Sequence, residues 1–169
     1  MAIGDLVAGQ VTDVVYDGTD LVLQDTILVS GGCGVTHNTT QASGVAAYAV
    51  KFNTENYDTA SIHDNVTNNT RLTVPAGITK IRLQGHISAV GTGANGILIL
   101  RIRKNGVTNI AEGANVTFGV NPLSGDVISQ LQTVSTGDYF ELIADTSAGT
   151  AGLNISANIG ASFEMILVE

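Results

Sequence analysis

Hydrophobic and polar residues alternate along much of the chain with the period of a β-strand. In the stretch 80–88, Ile81, Leu83 and Ile87 fall on one face, and the positions between them on the other face are charged or polar. This alternation is typical of a strand that covers a core with one face and meets solvent with the other. Clusters of Gly, Asn, Asp and Ser separate such runs at short intervals. The pattern predicts an all-β protein built as an antiparallel sandwich or barrel.

The stretch 96–104 is more apolar than the stretch 80–88, and its two faces differ. Ile97 and Ile99 share one face with Arg101 and Arg103, while the other face is aliphatic except at its end. Such a strand needs cover on both sides, from an opposing sheet and, we expect, from a neighbouring subunit. The Asn-Gly pair at 105–106 then predicts a tight hairpin turn.

Turn-forming residues divide the chain into three segments. Residues 1–30 hold two strand-like runs around an Asp-Gly pair and are predicted to form a β-hairpin arm. Residues 31–45 are rich in Gly and polar residues, which predicts a flexible linker, and residues 46–169 form the head domain. A two-stranded hairpin alone is marginal in water, so we expect the arm to dock elsewhere. The apolar residues expected to anchor it are Val15, Tyr16, Leu21 and Leu23.

The charge of the chain excludes several classes of partner. Seven Lys and Arg residues against fifteen Asp and Glu residues give a net charge of −8, and every basic residue lies between Lys51 and Lys104. An acidic surface argues against nucleic-acid binding and against docking on anionic membranes. No apolar run is long enough to cross a membrane. Cys33 is the one cysteine, so no intrachain disulfide forms, and we expect no conventional signal peptide.

Catalytic chemistry has weak support in the sequence. Cys33 and His37 have a spacing that suits a thiol nucleophile with a base, but they lie in the predicted linker. Catalytic groups need rigid surroundings, so we favour an ordinary small residue in a flexible segment. Gly91, Gly93 and Gly96 precede a predicted strand rather than the helix that a nucleotide-binding loop requires. We therefore predict that the protein is not an enzyme.

Metal ligation is a second candidate. The three histidines share no spacing typical of ligands, so no transition-metal site is predicted. An Asn- and Asp-rich loop could supply oxygen ligands for calcium, or its side chains could cap the turns of the loop. We favour turn capping and predict no metal and no cofactor. The loop residues concerned are Asp58, Asp64, Asn65, Asn68 and Asn69.

The basic residues of the central strands are a third candidate. Lys80 and Arg82 share one strand face, and Arg101 and Arg103 share another. They could bind an anion such as an acidic host-surface polysaccharide, or form ion pairs between subunits with carboxylates of the acidic C-terminal third. We favour the ion pairs because the arginine fork suits carboxylates at interfaces. The acidic candidates include Glu141, Asp145 and Glu164.

Five short motifs follow one another along the head. Pro75 and Gly77, in the second motif, cannot continue a β-ladder and so mark where a long strand begins. The Gly-Asp turn in the fourth motif presents Tyr139 and Phe140 to opposite faces of the next strand. The motifs are Phe52 with Asn56–Asp58, Arg71–Ile78, Arg101–Gly106, Val134–Leu142 and Ala161–Ile166.

In this order the motifs resemble the jelly-roll domain shared by the complement globular head and the tumour-necrosis-factor ligands, in particular its versions in tailed-phage virion proteins. The resemblance implies an antiparallel jelly-roll sandwich that assembles as a homotrimer about a three-fold axis. Several aromatic positions of the family are aliphatic here, so we expect an aliphatic trimer core. The residues expected to pack in the core or between subunits are Ile97, Ile99, Tyr139, Phe140 and Phe163.

The N-terminal arm is similar to short adaptor segments of phage tail and fibre proteins, which implies an anchor on other virion proteins. The resemblance as a whole implies a structural protein located on the virion, either a capsid decoration or head fibre, or a tail fibre or tip. Attachment to a host surface or glycan is a further role that exposed loops of this family perform. Two alternatives stay open: a secreted bacterial lectin-like binding module, and a polysaccharide-degrading spike, which would need a carboxylate pair in a groove.

Overall fold

The computed structural model describes residues 13–16, 21–24 and 31–168, with side chains from residue 31 onward except at 114, 158 and 159. These residues form strands, turns and bends, and they include no helix long and apolar enough to cross a membrane. The strands are β1 (Asp13–Tyr16), β2 (Leu21–Gln24), β3 (Gly32–His37), β4 (Gln41–Ser43), β5 (Ala47–Ala49), β6 (Thr54–Asp58), β7 (Arg71–Thr73), β8 (Lys80–Gly91), β9 (Gly96–Lys104), β10 (Thr108–Phe118), β11 (Pro122–Ile128), β12 (Gln132–Thr133), β13 (Tyr139–Asp145), β14 (Leu153–Ile155) and β15 (Asn158–Val168).

The alternating sequence of β8 and β9 explains why they are strands. Ile81, Leu83 and Ile87 of β8 are buried and Arg82 is exposed, while β9 buries its aliphatic face and half-buries the face that begins at Ile97. Each buried aliphatic side chain contributes about 1.5–3 kcal/mol relative to an exposed one. A slip of one residue would exchange the two faces, so this burial also fixes the register.

Two sheets form the head. The five-stranded sheet has the order β10-β9-β13-β5, with β7 also paired to β13. The eight-stranded sheet has the order β4-β14-β8-β15-β3-β6, with β11 and β12 also paired to β8. Since β11 and β15 both pair with residues 84–87 of β8, they lie on opposite edges of that strand. The antiparallel all-β prediction is confirmed, and the long strand that follows Pro75 is the centre of the larger sheet.

The core lies between the two sheets. Phe52 and Phe163 stack with their ring centroids 6.0 Å apart, and Phe140 is 0% exposed. A Cβ on Gly85 of β8 would lie 2.4 Å from Leu142 Cδ1 of β13, so this glycine lets the two sheets approach closely. Phe140 and Phe163, two of the residues predicted to pack in the core or between subunits, therefore lie in the core of the chain itself.

The segment predicted as a flexible linker, residues 31–45, is instead part of the larger sheet. β3 lies between β15 and β6, and β4 pairs with β14. Cys33 and Val35 of β3 are both 0% exposed. The linker prediction is wrong over these strands, and the head begins at residue 31 rather than 46.

The glycines of β3 serve close packing. A Cβ on Gly32 would lie 2.3 Å from the carbonyl oxygen of Met165, and one on Gly34 would lie 2.7 Å from the ring of Tyr57. Real Cβ atoms do not come this close, so these positions require glycine for space. Glycine composition alone does not distinguish this need from flexibility, which is why the linker prediction failed.

The two arm strands β1 and β2 pair antiparallel, as expected for a hairpin. The turn at 17–20 lies outside the described residues, and so do the side chains of the predicted anchor. The division into arm and head, and the docking role of the arm, therefore stay predictions. The anchor residues concerned are Val15, Tyr16, Leu21 and Leu23.

Both ends of the described head lie on the same side of the molecule. The Leu167 N–H donates to the Gly31 carbonyl at 2.8 Å. β8 begins beside Val168 and ends beside Leu153, so the loops near Leu153 form the opposite end, which we call the distal end. The loops nearest Leu153 are 44–46, 92–95, 119–121 and 146–152, and none of these four contains an ionisable residue.

Candidate functional site

A depression of about 380 Å³ lies on the outer face of the eight-stranded sheet and is partly open to solvent. It crosses the adjacent strands β6, β3, β15, β8 and β11. Alternate residues of a strand face opposite sides, so burial of Leu83 and Ile87 in the core turns Gln84 and His86 outward. The depression is lined by Gly34, Val35, Asn56, Tyr57, Gln84, Gly85, His86, Asp126, Ile128, Ser162, Phe163 and Glu164.

Glu164 is bound from both sides within this depression. In the sheet register it lies between Gln84 of β8 and Gly34 of β3, and Gly34 faces Tyr57 of β6. The Tyr57 hydroxyl and the Gln84 side-chain amide each donate to the Glu164 carboxylate. Burial, together with the nearby carboxylate, raises the pKa of Tyr57, so its hydroxyl keeps its proton at neutral pH. The tyrosine remains 41% exposed and offers an aromatic surface beside fixed polar groups.

Asp126, His86 and Ser162 form the next row across β11, β8 and β15. His86 Nδ1 lies 2.8 Å from Asp126 Oδ1. These are the residue types of a hydrolytic triad, but no hydrogen bond joins Ser162 to His86 within the part of the chain that the structure describes. The Asp126 side chain is 74% exposed, so water screens the pair rather than being excluded from it. The row therefore suits recognition of a polar partner better than hydrolysis.

The outer face of the five-stranded sheet carries a row of ion pairs. Arg101 lies 2.8 Å from Glu112 and also pairs with Asp145, and Arg103 lies 2.9 Å from Glu141. Glu141 and Asp145 are among the predicted carboxylate partners, but they belong to the same chain as the arginines. These arginines thus pair within one sheet of the same chain, because β9 and β13 are neighbours, and pairing between subunits stays a prediction.

Lys80 and Arg82 lie on the other outer face, that of the eight-stranded sheet. Both are exposed, and neither forms a salt bridge with any of the residues described. Glu164, the third predicted acid, is bound by Tyr57 and Gln84 instead. Binding of Lys80 and Arg82 to an external anion, or to a carboxylate of another subunit, stays a prediction.

Ile97, Ile99 and Tyr139 face outward from the five-stranded sheet. The two isoleucines are half-buried, and the Arg71 guanidinium carbon lies 4.0 Å from the centroid of the Tyr139 ring. An aromatic ring and a cation at this distance attract each other. Contact of these three residues with another subunit stays a prediction.

Comparison with known proteins identifies the fold through structure. No protein-family model matches the chain, and no curated protein sequence matches it. The globular domain of zebrafish complement 1qA matches with 14% identity and a TM-score of 0.58, over 82% of this chain and 98% of that one. Murine APRIL at pH 8.5 matches with 6% identity and a TM-score of 0.56, over 82% and 98%. Eiger TNF from S. frugiperda matches with 9% identity and a TM-score of 0.55, over 83% and 93%.

The head is a complement- and TNF-type jelly roll. The predicted fold class is therefore confirmed. At these identities the likeness establishes the fold alone, and function has to be inferred from the surface of this chain. The jelly-roll head has one outer face whose charges pair with each other and one outer face that carries an open depression.

The Cys33 and His37 side chains are buried in the jelly-roll head, so neither can meet a substrate. Burial raises the pKa of Cys33 to about 12, with the nearby carboxylates of Asp58 and Glu55 adding to the effect, and burial lowers the pKa of His37. A thiol with such a pKa supplies almost no thiolate at neutral pH. The glycine-rich loop 91–96 leads into a strand rather than the helix of a nucleotide site, but it crosses from β8 in one sheet to β9 in the other, so the expected hairpin loop is wrong.

The Asn- and Asp-rich loop of the jelly-roll head uses its carboxylates in turns. Asp58 accepts three backbone N–H groups of the following residues, and Asp64 accepts two. Burial alone would raise the pKa of Asp58, but these hydrogen bonds outweigh it and lower the pKa, and hydrogen bonds also lower that of Asp64. Among the described residues, no group of three or more His, Cys, Asp or Glu is placed to hold a metal. The loop has the geometry of turn capping.

The sequence alone does not show that Tyr57, Gln84, Asp126 and Glu164 lie together. Their strands are far apart in the chain, and alternation places a residue on a face without naming its neighbours on other strands. The available signal was the polar face of β8 from Lys80 to Ser88. A search for polar residues on the matching face of β15 would have selected Glu164.

Proposed function

We propose that the chain is a structural protein of a tailed-phage virion and is not an enzyme. In this proposal three copies form a trimeric jelly-roll head, and the N-terminal arm docks it on a capsid or tail protein. The jelly-roll fold supports the head, and the similarity of the arm sequence to phage adaptor segments supports the virion. The alternative of a secreted bacterial lectin-like module has the same head but no role for the arm.

The difference between the two outer faces is the observation that carries the trimer proposal. The five-stranded sheet covers its outer face with its own ion pairs. The eight-stranded sheet leaves Ile128, which lines its depression, 69% exposed, whereas Ile97 and Ile99 on the other sheet are half-buried. Exposed apolar side chains rimmed by polar groups are typical of a protein interface. We therefore propose that copies meet through the eight-stranded sheet rather than through Ile97 and Ile99.

Light scattering of purified variants tests the trimer and its contact face. The native chain is expected to have the mass of a trimer at micromolar concentration. Ile128→Asp should reduce that mass, while Val107→Asp should not, because Val107 is 82% exposed in a turn between β9 and β10. A native monomer would contradict the trimer. Dissociation by Ile99→Asp but not by Ile128→Asp would show that the subunits meet through the five-stranded sheet instead.

The place where the described head begins supports the anchor role of the arm. Gly31 lies beside the last described residues and opposite the distal end, and in this proposal the distal end faces away from the particle. Deleting residues 1–30 should leave a folded head that no longer joins particles, and Leu21→Asp with Leu23→Asp should have the same effect in the full chain. Cosedimentation with virus particles that lack this protein measures the binding of both variants. Undiminished binding of the deletion variant would show that the arm is not the anchor.

Saccharide attachment is a second candidate function for the depression, and it is an alternative to subunit contact there, because Tyr57 and Ile128 line the same depression. The half-exposed Tyr57 ring lies beside Gln84 and Glu164, and an aromatic surface with fixed polar groups suits a sugar. The carboxylates of Glu164 and Asp126 favour a neutral sugar over the acidic polysaccharide considered for Lys80 and Arg82. Calorimetry with neutral oligosaccharides tests it: Tyr57→Ala should abolish binding without changing the oligomeric state. Loss of the trimer in that variant would assign the face to subunit contact instead.

A further inference from the structure

Two Asn-Gly turns flank the central strand β9. Asn95 precedes Gly96 in the turn between β8 and β9, and Asn105 precedes Gly106 in the turn between β9 and β10. Both asparagines are exposed and have left-handed backbones, with φ of 62° and 53°. Asparagine tolerates this conformation better than most residues. The same dipeptide therefore occurs twice, at opposite ends of one strand.

Asn-Gly pairs undergo a known spontaneous reaction with water. The backbone nitrogen of glycine attacks Cγ of asparagine, the bond from Cγ to the side-chain nitrogen breaks, and ammonia leaves. Water then opens the resulting succinimide ring to aspartate or isoaspartate. Glycine favours the first step because it has no Cβ to block the approach. The asparagine side chain must rotate toward the glycine nitrogen, so hydrogen bonds that hold this side chain oppose the reaction.

The Asn105 side chain is held at both ends of its amide. Its Nδ2 donates to Asp138 Oδ1 at 2.8 Å, and its Oδ1 accepts the Tyr139 N–H at 2.8 Å. Asp138 is fixed in turn by Lys104 Nζ, 2.7 Å from its other oxygen, and by the Ser135 N–H at 2.9 Å. Rotation of the Asn105 amide would break both of its hydrogen bonds.

The Asn95 side chain has no hydrogen bond to the residues that the structure describes. Asn95 contacts the loop 146–152 through its backbone, since the Asn95 carbonyl oxygen accepts the Thr150 N–H at 3.1 Å. Strand pairing closes the turn at 105–106, through Thr108 with Lys104, whereas the turn 92–95 connects strands of two different sheets. Gly96 is buried and Gly106 is exposed, so the backbones of the two sites differ, and the side-chain hydrogen bonds are the feature that favours reaction at Asn95.

We propose that Asn95 is a site of spontaneous deamidation and that Asp138 and Tyr139 protect Asn105 from the same reaction. The product places a carboxylate in the turn 92–95 at the distal end, a turn that otherwise contains no ionisable residue. Ageing of the protein would then add negative charge to the end of the head opposite Gly31. The proposal does not depend on the trimer or on the virion.

The test is a time course on the intact chain at mildly alkaline pH, followed by peptide mapping with mass spectrometry. The fraction converted at Asn95 and at Asn105 is measured in the same sample, so each site is a control for the other. Two lost hydrogen bonds correspond to a rate ratio of roughly tenfold or more in favour of Asn95. In denaturant both side chains are free, and the ratio should fall close to one. Equal rates in the folded chain, or an unchanged ratio in denaturant, would overturn the proposal.

Asp138→Ala removes the acceptor for Asn105 Nδ2 and should raise the rate at Asn105 several-fold, with the rate at Asn95 unchanged. Lys104→Met is the matched control, because it breaks the ion pair with Asp138 but leaves both Asn105 hydrogen bonds in place. Circular dichroism checks that each variant is folded. If Lys104→Met accelerates Asn105 as much as Asp138→Ala does, general loosening explains the effect and the protective role is refuted. An Asn105 rate that Asp138→Ala leaves unchanged refutes it as well.

Discussion

Replacing Glu141 with alanine should destabilise the head, because Glu141 is the most buried side chain in the row of ion pairs on the five-stranded sheet. The Glu141 side chain is 7% exposed and accepts two hydrogen bonds from Arg103, at 2.9 and 3.2 Å, and one from Thr70 at 3.1 Å. Arg71 adds a weaker contact at 3.8 Å. Its removal leaves two cations without their shared carboxylate on one sheet face.

The magnitude follows from burial. Removing one partner of a buried ion pair costs about 3–5 kcal/mol, and an exposed pair contributes about 0–1 kcal/mol. The side chains of Arg71 and Arg103 are 37% and 27% exposed, so water can partly solvate both after the change. We therefore expect Glu141→Ala to cost about 2 kcal/mol of unfolding free energy, between the two limits.

Glu112→Ala is the matched control on the same sheet face. Its side chain is 53% exposed, and Arg101 keeps Asp145 as a partner after the change. We expect it to cost less than about 1 kcal/mol. Urea unfolding at one fixed protein concentration measures both variants, because association would otherwise contribute to the apparent stability. Equal losses for the two variants would refute the use of burial to rank these ion pairs.

Three further predictions concern a thiol, a carboxyl group and a glycine. Cys33 should not react with a thiol reagent in the folded chain and should react fully in denaturant, because it is 0% exposed and its pKa is raised by burial to about 12. Burial alone would raise the pKa of Asp138, but its hydrogen bonds hold the pKa at about 2 against an ordinary 3.8. The contribution of Asp138 to stability is therefore present above pH 3.8 and is lost as the pH falls toward 2. Urea unfolding of the native chain and Asp138→Asn over this range should show the difference between them shrinking. Gly91→Ala should lower stability by about 1–3 kcal/mol, since its Cβ would lie 1.9 Å from the Gly119 carbonyl oxygen, whereas Gly44→Ala meets nothing within 4 Å and should be tolerated.

Strand periodicity made most of the head predictable from sequence. In β8 and β9 the buried positions follow the alternation of apolar residues, because a half-buried strand can satisfy its hydrophobic face in only one way. The Asn-Gly pair at 105–106 likewise predicted its turn, since few residues accept the positive φ that both positions adopt. Local chemistry was sufficient in each case.

Prediction failed where the environment of a residue depends on distant parts of the chain. Gly32 and Gly34 look like linker residues, but each is required by a neighbour more than twenty positions away in sequence, the Met165 carbonyl and the Tyr57 ring. For the arginines of β9 the sequence indicated carboxylate partners but not their location, and the neighbouring strand β13 supplies them within the chain. Residue type indicated the kind of contact, but strand order decided which chain provides it.

The distribution of charge selects the outer face on which a partner should be sought. Arg71, Arg101, Arg103 and Lys104 all pair with acids of the same chain, and the first three of these lie on the outer face of the five-stranded sheet. A face whose cations and carboxylates already satisfy each other gains little from another charged surface, because each pair would have to be separated first. The eight-stranded sheet instead presents the exposed Arg82, an open depression and the exposed Ile128. Substitutions on that sheet should therefore affect association, whereas substitutions in the ion-pair row should affect stability.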